Sequence, residues 1–519
     1  MRVVRVNLCL LVVLAACLVG CTGQRSNHIG SFHLRGPVAG TSKTASAGVS
    51  PQGGSADLAG TAWRITRKSA GRIEGYANRT SVSSGQPVTL YVSTREPRFL
   101  VRAFRMGWYR GVEGRQIWVS RSTPGHQQSV AVLAPAATRT RAADWAPSLT
   151  VSTTGWVPGD YLLRLETSTK HQSFVPLTVR GPSAAGRLVL VNAVTTWQAY
   201  NVWGCCDLYR GEDGAFATRS RAVTFDRPYQ ADHGAGGFLS RELPVVAEAE
   251  RLNLPLDYVT DVDVHDNPHL LDGAHAIVSM GHDEYWSPAM RSAVTRARDA
   301  GTNLAFLGAN AIFRRVRFAG TRLGPNRLEI NYKDPSEDPL NGQGTADVTA
   351  NWPATPDARP ESSLLGNQYA CYPGGGVPTV AGVIVDPGNW LFAGTHVTSG
   401  QRLPGLIGPE TDAVQLGSPT PRPIEVLLHS PTHCPGNTPP DADTSYYVAP
   451  SGAGVFDAGT MDWACAISGH CNQPAPITGP TQRVTRQVTD NLLTTFALGP
   501  AGHRHPAHDN LQALGISHH

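Results

Sequence analysis

Two different patterns of apolar and polar residues divide the chain. Between residues 61 and 182 the apolar residues come in short alternating runs, such as SGQPVTLYVST and GDYLLRLET, which are separated by Gly, Pro and Ser. Alternation places every second side chain on one face of a strand, and regularly spaced turn residues are typical of packed antiparallel sheets. The pattern therefore predicts an N-terminal β-sandwich domain over residues 61–182. Within it Tyr161 follows a Pro-Gly-Asp turn, the position of a tyrosine corner.

The pattern changes after the small-residue segment GPSAAG, residues 181–186. Nearly continuous apolar runs, RLVLVNA, LDYVTD, AHAIVSMG and TNLAFLGA, then alternate with helical patterns in ELPVVAEAERL and SPAMRSAVTRARDAG. Buried strands that alternate with helices are the signature of a parallel sheet with helices packed on it. We therefore predict an α/β chain in which a doubly wound parallel sheet, residues 188–497, follows the sandwich. The boundary is expected between Gly181 and Arg187.

Polar residues stand where four of the predicted strands end. Ligands of open parallel sheets bind beyond the carboxyl ends of the strands, so these residues are expected to line one cleft. An alternative exists for the turn after AHAIVSMG, because Ser287 followed by Pro288 also fits an ordinary helix cap. The polar groups at the four ends are His282, Asp283 and Glu284; Thr195 to Asn201, with Tyr200; Asn310; and Asp261.

The N-terminus has the parts of a secretory signal peptide. Two arginines precede an apolar run from Leu8 to Val19, and Gly20 and Cys21 follow. The segment LVGC resembles the bacterial lipobox, which implies a lipoprotein signal peptide over residues 1–20 and a lipid on the sulfur of Cys21. The alternative is a signal peptide with a chance cysteine. We expect an exported protein that is anchored to the bacterial cell membrane through Cys21.

Composition indicates which further segments lack a fixed structure and whether the chain binds nucleic acid. The Ser- and Gly-rich residues 21–60 are expected to form a flexible tether, and the His-rich residues 498–519 a disordered tail. The formal net charge is +4, and removal of the two arginines of the signal would leave +2. That charge is too small to attract nucleic acid, so no nucleic-acid partner is expected. The lipid is the only expected membrane contact, and the oligomeric state stays open.

Cysteine usage agrees with export. Of the nine cysteines, three lie in the signal peptide or at the anchor, and the remaining six are an even number that predicts disulfides. We favour a local pair, Cys465 with Cys471, and a longer one, Cys371 with Cys434. No C-x-x-C pair occurs in the sequence, so a structural zinc site is not expected.

Seven sequence blocks together resemble a known family. The blocks are FRMGWYRGVEGRQI, TTWQAYNVWG, GHDEYWSPAMRSA, FLGANAIFRRVRF, NYKDPSEDP, LFAGT and SGAGVFDAGTMDWA, and the resemblance that they carry covers about residues 60 to 497. Together, and in this order, the blocks resemble the family named after the large subunit of N,N-dimethylformamidase. That resemblance implies a β-rich region followed by a domain of glutamine-amidotransferase-like fold. Amidotransferases need a cysteine after the strand LAFLG, where this chain has Ala309 and Asn310, so cysteine-based amide transfer is not expected.

The resemblance also implies a metal site. The characterised enzyme of the family is an amide hydrolase with one iron held by two tyrosinates and a glutamate. Carried over by motif, Glu284 in HDEYW and Tyr200 in TWQAY would be ligands. Tyr161 is the favoured second tyrosine, and Tyr258 and Tyr285 stay open as alternatives. Phenolate and carboxylate oxygens are hard anionic donors that suit ferric iron.

The function implied by the resemblance is metal-dependent hydrolysis of a linear amide C–N bond. In that reading His282, Asn310 and Glu410 contact the substrate or move protons, and the substrate is a small amide or another polar molecule. A second hypothesis is a metal-free lipoprotein that binds a sugar or small polar ligand in the same cleft. Its stacking faces would be Trp197, Trp203 and Trp286. A third hypothesis is a structural envelope protein whose sandwich docks a partner.

Overall fold

The computed structural model describes residues 61–372, 379–433, 441–469, 477 and 479–516. Strands are far more numerous than helices in this part of the chain. The strands are β1 (Ile73–Ala77), β2 (Ser81–Ser83), β3 (Val88–Thr94), β4 (Arg98–Tyr109), β5 (Val112–Val119), β6 (Thr123–Pro124), β7 (Val132–Leu133), β8 (Arg141–Ala142), β9 (Leu149–Val151), β10 (Gly159–Thr167), β11 (Gln172–Arg180), β12 (Leu188–Asn192), β13 (Ala222–Thr224), β14 (Leu256–Thr260), β15 (Ala276–Ser279), β16 (Tyr285–Trp286), β17 (Asn303–Phe306), β18 (Arg314–Arg315), β19 (Arg317–Thr321), β20 (Gly324–Ile330), β21 (Ala350–Asn351), β22 (Gln368–Cys371), β23 (Val380–Val383), β24 (Arg402–Ile407), β25 (Thr411–Ala413), β26 (Ile424–Pro431), β27 (Asp441–Val448) and β28 (Gly454–Asp457).

The helices are short, with one exception near the C-terminus. The α-helices are α1 (Val194–Ala199), α2 (Leu243–Arg251), α3 (Asp261–Asp266), α4 (Pro288–Asp299), α5 (Ser362–Leu365), α6 (Trp463–Ser468) and α7 (Gly479–Phe496). A π-helix, Phe238–Glu242, runs directly into α2. Single 3-10 turns lie at Thr61–Trp63, Trp203–Cys205, Ala231–Gly234, Pro335–Glu337, Trp390–Phe392, Ala501–His503 and Gln512–Leu514. No helix within the described ranges is long and apolar enough to cross a membrane.

The first part of the chain forms two sheets that face each other. One sheet has the order β2-β11-β10-β4-β5, with β6 beside β4, and the other has the order β1-β3-β9. Their inner faces meet in one apolar core, to which Leu90 contributes from the small sheet and Leu163 from the large one. The predicted β-sandwich pattern is therefore present. The outer face of the large sheet is also covered, because Phe104 and Leu162 pack in the same core as α2.

The central sheet has seven strands in the order β14-β12-β15-β17-β28-β27-β26. The first five strands in this order, β14, β12, β15, β17 and β28, run parallel to one another. Strand β27 runs antiparallel to both of its neighbours, β28 and β26. The prediction of an all-parallel sheet is wrong at this edge, because β27 and β28 are joined by only residues 449–453 and a connection this short reverses the chain. Strands β11 and β12 lie in different sheets.

Helices cover both faces of the central sheet. On one face, residues of α2, α6 and α7 pack against Leu190, Val278 and Phe456. On the other face, residues of α3, α4 and α5 pack against Val191 and Leu304. The α/β class is confirmed in this mixed form, with strands more prominent than the sequence pattern indicated. The likeness of this domain to the amidotransferase fold stays a prediction.

Several small sheets accompany the sandwich and the central sheet. Their orders are β13-β20-β19, β16-β18-β21, β22-β25 and β23-β24, and another pair, β7-β8, lies in the N-terminal part. The sequence pattern did not predict these strands, because most are only two to four residues long. Of these strands, β18 and β22 contribute Arg314 and Tyr369 to the wall of the cavity described below.

The chain ends and the cysteines differ in part from expectation. Residues 498–516, predicted as a disordered tail, instead pack along the sheet, with Leu511 buried and the Asn510 side-chain amide donating to the Val426 carbonyl. Cys205 and Cys206 are bonded to each other, and Cys371 and Cys465 are each disulfide-bonded. The partners predicted for the last two, Cys434 and Cys471, lie outside the described residues, as do the signal peptide, Cys21 and the tether.

Candidate metal and active site

The candidate site lies where the strand order of the central sheet changes direction. From β12 the chain crosses to β14 on one side, and then passes back to β15 on the other side. Loops that leave two such strands diverge and open a crevice between their carboxyl ends. Tyr200 caps α1, which follows β12, and Glu284 lies in the loop after β15. The two residues therefore face each other across this crevice.

Two phenol oxygens and one carboxylate converge there. The Tyr200 hydroxyl donates to Glu284 Oε2 at 2.6 Å and lies 2.7 Å from the Tyr209 hydroxyl. The Tyr209 hydroxyl is 3.2 Å from both Glu284 oxygens. The two tyrosine rings stack with their centroids 4.7 Å apart. All three oxygens therefore lie within hydrogen-bonding distance of one another.

A surrounding set of contacts holds Glu284 in this place. The Glu284 backbone N–H donates to Thr196 Oγ1 at 2.9 Å, which ties the loop after β15 to α1. Arg314 Nε lies 3.3 Å from Glu284 Oε1 and compensates its charge. The neighbouring Ser287 does cap α4, with its side chain accepting from the Met290 N–H at 3.2 Å. The helix cap and the buried carboxylate are therefore separate features of one turn.

Tyr209 lies at the end of a hydrogen-bonded chain that begins on a buried lysine. Lys333 Nζ donates to the Tyr285 hydroxyl at 2.5 Å, and that hydroxyl donates to the Tyr209 hydroxyl at 2.7 Å. Lys333 Nζ also lies 3.6 Å from the centre of the Tyr209 ring. Tyr285 is thus close to the group, but its hydroxyl reaches Glu284 only through Tyr209.

Burial shifts the pKa values of these groups. Burial, and then the charge of Glu284, raise the pKa of Tyr200 and of Tyr209 well above its ordinary value. Burial, and then Arg314, lower the pKa of Lys333. A positive charge at the three oxygens would oppose the effect on the phenols, because it favours their ionised form.

A second arm of the site contains a histidine and another carboxylate. His282 Nε2 lies 3.1 Å from Glu410 Oε2 and 3.6 Å from Glu284 Oε2. Asn310, which follows β17, donates its side-chain N–H to Glu410 Oε2 at 3.0 Å. Burial lowers the pKa of His282, but Glu410 and then Glu284 outweigh it, so the net direction is upward. This arm can hold a proton beside the oxygen group.

These groups line one cavity of about 770 Å³. The oxygen group and the His282 arm form part of its wall, and Tyr200 is 37% exposed because its ring faces this space. The wall is otherwise largely apolar and aromatic, with two arginines. The remaining lining residues include Trp197, Gly236, Gly237, Ser240, Arg241, Phe313, Arg314, Tyr369, Tyr372, Pro409 and Met461.

The structure brings together five predicted site residues and separates others from them. Tyr200, Glu284, His282, Asn310 and Glu410 line the cavity. The remaining candidates lie elsewhere, each with a contact that accounts for it. Tyr161 is buried in the sandwich core and donates to the Val157 carbonyl at 2.6 Å, Tyr258 donates to Glu250 Oε1 at 2.8 Å, and Asp261 accepts from Thr195 Oγ1 at 2.6 Å.

The choice of Tyr161 as the second tyrosine is therefore corrected. Its hydroxyl bond to the residue four positions earlier is the tyrosine-corner contact, and it is made in a different sheet from the cavity. Of the three tryptophans predicted as stacking faces, Trp197 lines the cavity. Trp203 and Trp286 are buried, and their indole N–H groups donate to Glu74 and Asp283.

The second phenol beside Glu284 belongs to Tyr209, which the sequence analysis missed. The residue follows a loop and no strand, so the strand-end rule did not select it. The loop folds back because the Leu208 N–H donates to the Ala199 carbonyl at 3.1 Å, and the buried Arg227 guanidinium donates to carbonyls of Asn201 and Cys206. The signal available in the sequence was the second tyrosine of YNVWGCCDLY, nine positions after the first.

A comparison with protein families identifies the larger part of the chain. The family described as N,N-dimethylformamidase beta subunit-like, C-terminal, matches residues 100–474, which is more than half of the chain. The chain belongs to this family. The match spans the strand-end loops that carry Tyr200, Tyr209 and Glu284 as well as the His282 arm.

Comparisons with individual proteins add little to this family assignment. No curated protein matches the chain. Among solved structures, a Paenibacillus sp. cycloisomaltooligosaccharide glucanotransferase complexed with cycloisomaltoheptaose is similar at 12% sequence identity, over 25% of this chain and 18% of that chain, with a TM-score of 0.15. So small a likeness carries no argument about fold or function, and the matched part is less than a fifth of that protein.

The oxygen group of this dimethylformamidase-like chain fits a hard metal ion. With metal–oxygen bonds of ~2 Å, neighbouring ligands of an octahedral ion lie ~2.8 Å apart. The separations among Tyr200, Tyr209 and Glu284 are 2.6 to 3.2 Å. Among the described residues no group of three or more His, Cys, Asp or Glu side chains is arranged to hold a metal. This group differs because two of its three donors are phenols.

Proposed function

We propose that this protein hydrolyses a linear amide C–N bond with an iron ion held by Tyr200, Tyr209 and Glu284. The observation that carries the proposal is the convergence of two phenol oxygens and a carboxylate at 2.6 to 3.2 Å in the wall of a large cavity. Membership of the dimethylformamidase-like family supports the reaction class. When bound, the metal would supply a Lewis acid for the amide carbonyl and a lowered pKa for water.

The residues of the chain supply the remaining requirements of amide hydrolysis. Arg314 neutralises Glu284 from the side of the small sheet β16-β18-β21. In this scheme His282, which lies 3.1 Å from Glu410 Oε2 and 3.6 Å from Glu284 Oε2, transfers a proton to the leaving amine. Asn310 orients Glu410, and through it the imidazole. A nucleophilic side chain is not required by this scheme.

Metal analysis tests the proposal directly. The purified chain is expected to contain iron, with a visible tyrosinate-to-iron charge-transfer band, and Glu284→Gln should lose both. Glu166→Gln is the matched control, because Glu166 is a buried ion-paired carboxylate in the sandwich sheet. Since the chain has 18 histidines, the difference between variants is the measure rather than the absolute metal content. Iron that persists in Glu284→Gln would contradict the proposal.

Activity distinguishes the hydrolase from a binding protein that uses the same cavity. A panel of linear amides is incubated with the iron-containing chain, and released amine is measured. The proposal expects amine release that disappears in Glu284→Gln and persists in Glu166→Gln. Binding of amides without release, unchanged after chelation of the iron, would instead favour the ligand-binding lipoprotein.

The place of action is a further part of the proposal. We propose that the chain is exported and held at the membrane by a lipid on Cys21. The support is the order of basic residues, apolar run and LVGC at the N-terminus. An anchored hydrolase of this kind would meet its substrate outside the cytoplasm.

A further inference from the structure

The cavity contains a cationic side chain that the hydrolytic scheme does not use. Arg241 lies in the cavity wall, in the π-helix Phe238–Glu242 that precedes α2. Its side chain is 31% exposed, and its nearest acidic contact is Asp462 at 3.7 Å. Its hydrogen bond to the Met461 carbonyl is 3.5 Å long. Most of the five N–H donors of this guanidinium therefore remain available to a ligand.

The position of Arg241 is fixed relative to the reacting groups. A Cβ atom built on Gly281 would lie 2.8 Å from the Arg241 carbonyl oxygen and 3.1 Å from its Cβ atom, so the two backbones are in close contact. Gly281 directly precedes His282, and Arg241 lies close enough to His282 and Glu410 to influence the charge of both. The guanidinium thus belongs to the same wall as the proton-holding arm.

The size and character of the cavity point to a substrate larger than a simple formamide. A volume of about 770 Å³ lies within the range of ~300–1,000 Å³ that holds drug-sized ligands. Phe313 and Tyr369 pack together in the wall with ring centroids 4.7 Å apart, and Tyr372 is 48% exposed. The wall therefore offers aromatic surface for an apolar group in addition to the cation.

We propose that Arg241 binds the carboxylate of the substrate, and that the substrate class is N-acyl amino acids with an apolar or aromatic acyl group. This inference rests on the proposed function, because it names the amide on which that site acts. A planar guanidinium matches a carboxylate through two parallel hydrogen bonds. The carboxylates of Glu284 and Glu410 favour a single negative charge over a phosphate dianion, since both repel a ligand anion.

The reaction balances without any co-reactant except water. The amide C–N bond breaks, the hydroxyl of water ends on the acyl carbon, and the second proton of water goes to the amino acid nitrogen. The products are a carboxylic acid and a free amino acid. Arg241 holds the amino acid carboxylate throughout and is a specificity residue, while His282 lies on the side of the leaving nitrogen.

Calorimetric binding of a matched pair of probes tests the inference on the full chain. The probes are N-benzoylglycine, which has a carboxylate, and N-benzoylglycinamide, which does not. We expect the wild-type chain to bind the acid at least about tenfold more tightly, the effect of one hydrogen bond to a charged group. Arg241→Met should remove that preference and leave the affinity for the amide within about twofold. Arg241→Lys should keep part of it.

The controls separate this inference from the proposed function. Arg121→Met replaces an exposed arginine of the sandwich and should bind both probes as the wild type does. The iron-containing chain could release no amine and still prefer the acid after its iron is removed. That result would support the carboxylate site at Arg241 and contradict the proposed hydrolase. Equal affinity of the wild type for both probes, absence of acid binding, or an unchanged preference in Arg241→Met would overturn the inference.

Discussion

Replacement of Tyr209 by Phe removes one oxygen from the proposed metal site and leaves the rest of the residue in place. The ring keeps its stacking on Tyr200 at 4.7 Å and its position 3.6 Å from Lys333 Nζ. Glu284 keeps the Tyr200 hydroxyl at 2.6 Å and Arg314 at 3.3 Å. The Tyr285 hydroxyl, which donates to Tyr209 at 2.7 Å, loses its acceptor. We therefore expect the metal-free variant to lose about 1–3 kcal/mol of unfolding free energy.

The effect on iron binding should be larger than the effect on folding. Loss of a group that merely orients a ligand weakens metal binding by about 10–100-fold, so loss of the ligand itself should cost at least ~100-fold, or ~2.7 kcal/mol. An ion that binds the native state raises the unfolding free energy. Wild-type protein should thus be stabilised by added iron, and Tyr209→Phe should lose most of that stabilisation.

The assay is denaturant unfolding with and without iron, together with the charge-transfer spectrum. Tyr161→Phe is the matched control, because its hydroxyl bonds to a carbonyl in the sandwich and should affect only folding. Full iron-dependent stabilisation and an unchanged spectrum in Tyr209→Phe would refute the assignment of this residue. Loss of the iron-dependent stabilisation and of the charge-transfer band in Tyr161→Phe would instead indicate that Tyr161 is the second tyrosine ligand.

Four further changes test other parts of the structure. Cys21→Ala should release the protein from membranes, and equal partitioning of both forms would refute the anchor. Burial raises the pKa of Glu361 from about 4.5 to about 8. Between these two pH values the folded chain keeps the carboxyl proton and the unfolded chain has lost it, so the stability of the wild type falls as pH rises. Glu361→Gln should remove that slope, at most about 1.4 kcal/mol per pH unit, and parallel stability curves would contradict it. Gly308→Ala places a Cβ atom 2.2 Å from the Gly281 carbonyl oxygen, so denaturant unfolding should show a loss of about 1–3 kcal/mol. Leu511→Ala should cost about 2–5 kcal/mol if the packed C-terminal segment contributes to the core, and no change would deny it that role.

Local pattern determined the position of the main elements. Apolar runs predicted β12, β14, β15 and β17, because a strand buried on both faces needs an almost continuous run of apolar residues. The same runs placed Tyr200 and Glu284 at neighbouring strand ends, and the hydroxyl and carboxylate oxygens do lie 2.6 Å apart. Each strand depends on residues close in the sequence, and the rule that the carboxyl ends of parallel strands share one edge of a sheet then brought the two residues together.

Tertiary structure decided the features that depend on distant contacts. Tyr161 and Tyr209 are both plausible oxygen donors in the sequence. Tyr161 is buried in the sandwich core, whereas the folded-back loop brings the Tyr209 hydroxyl to Glu284. The C-terminal segment is polar and His-rich, yet it is held by contacts such as that of Asn510 with β26, which composition does not reveal. Arg241 lines the cavity from the π-helix, whose backbone packs against Gly281, forty positions later in the chain. The spacing of apolar residues and the composition of a segment report its local structural preference. A site, in contrast, depends on which distant segments the core brings together.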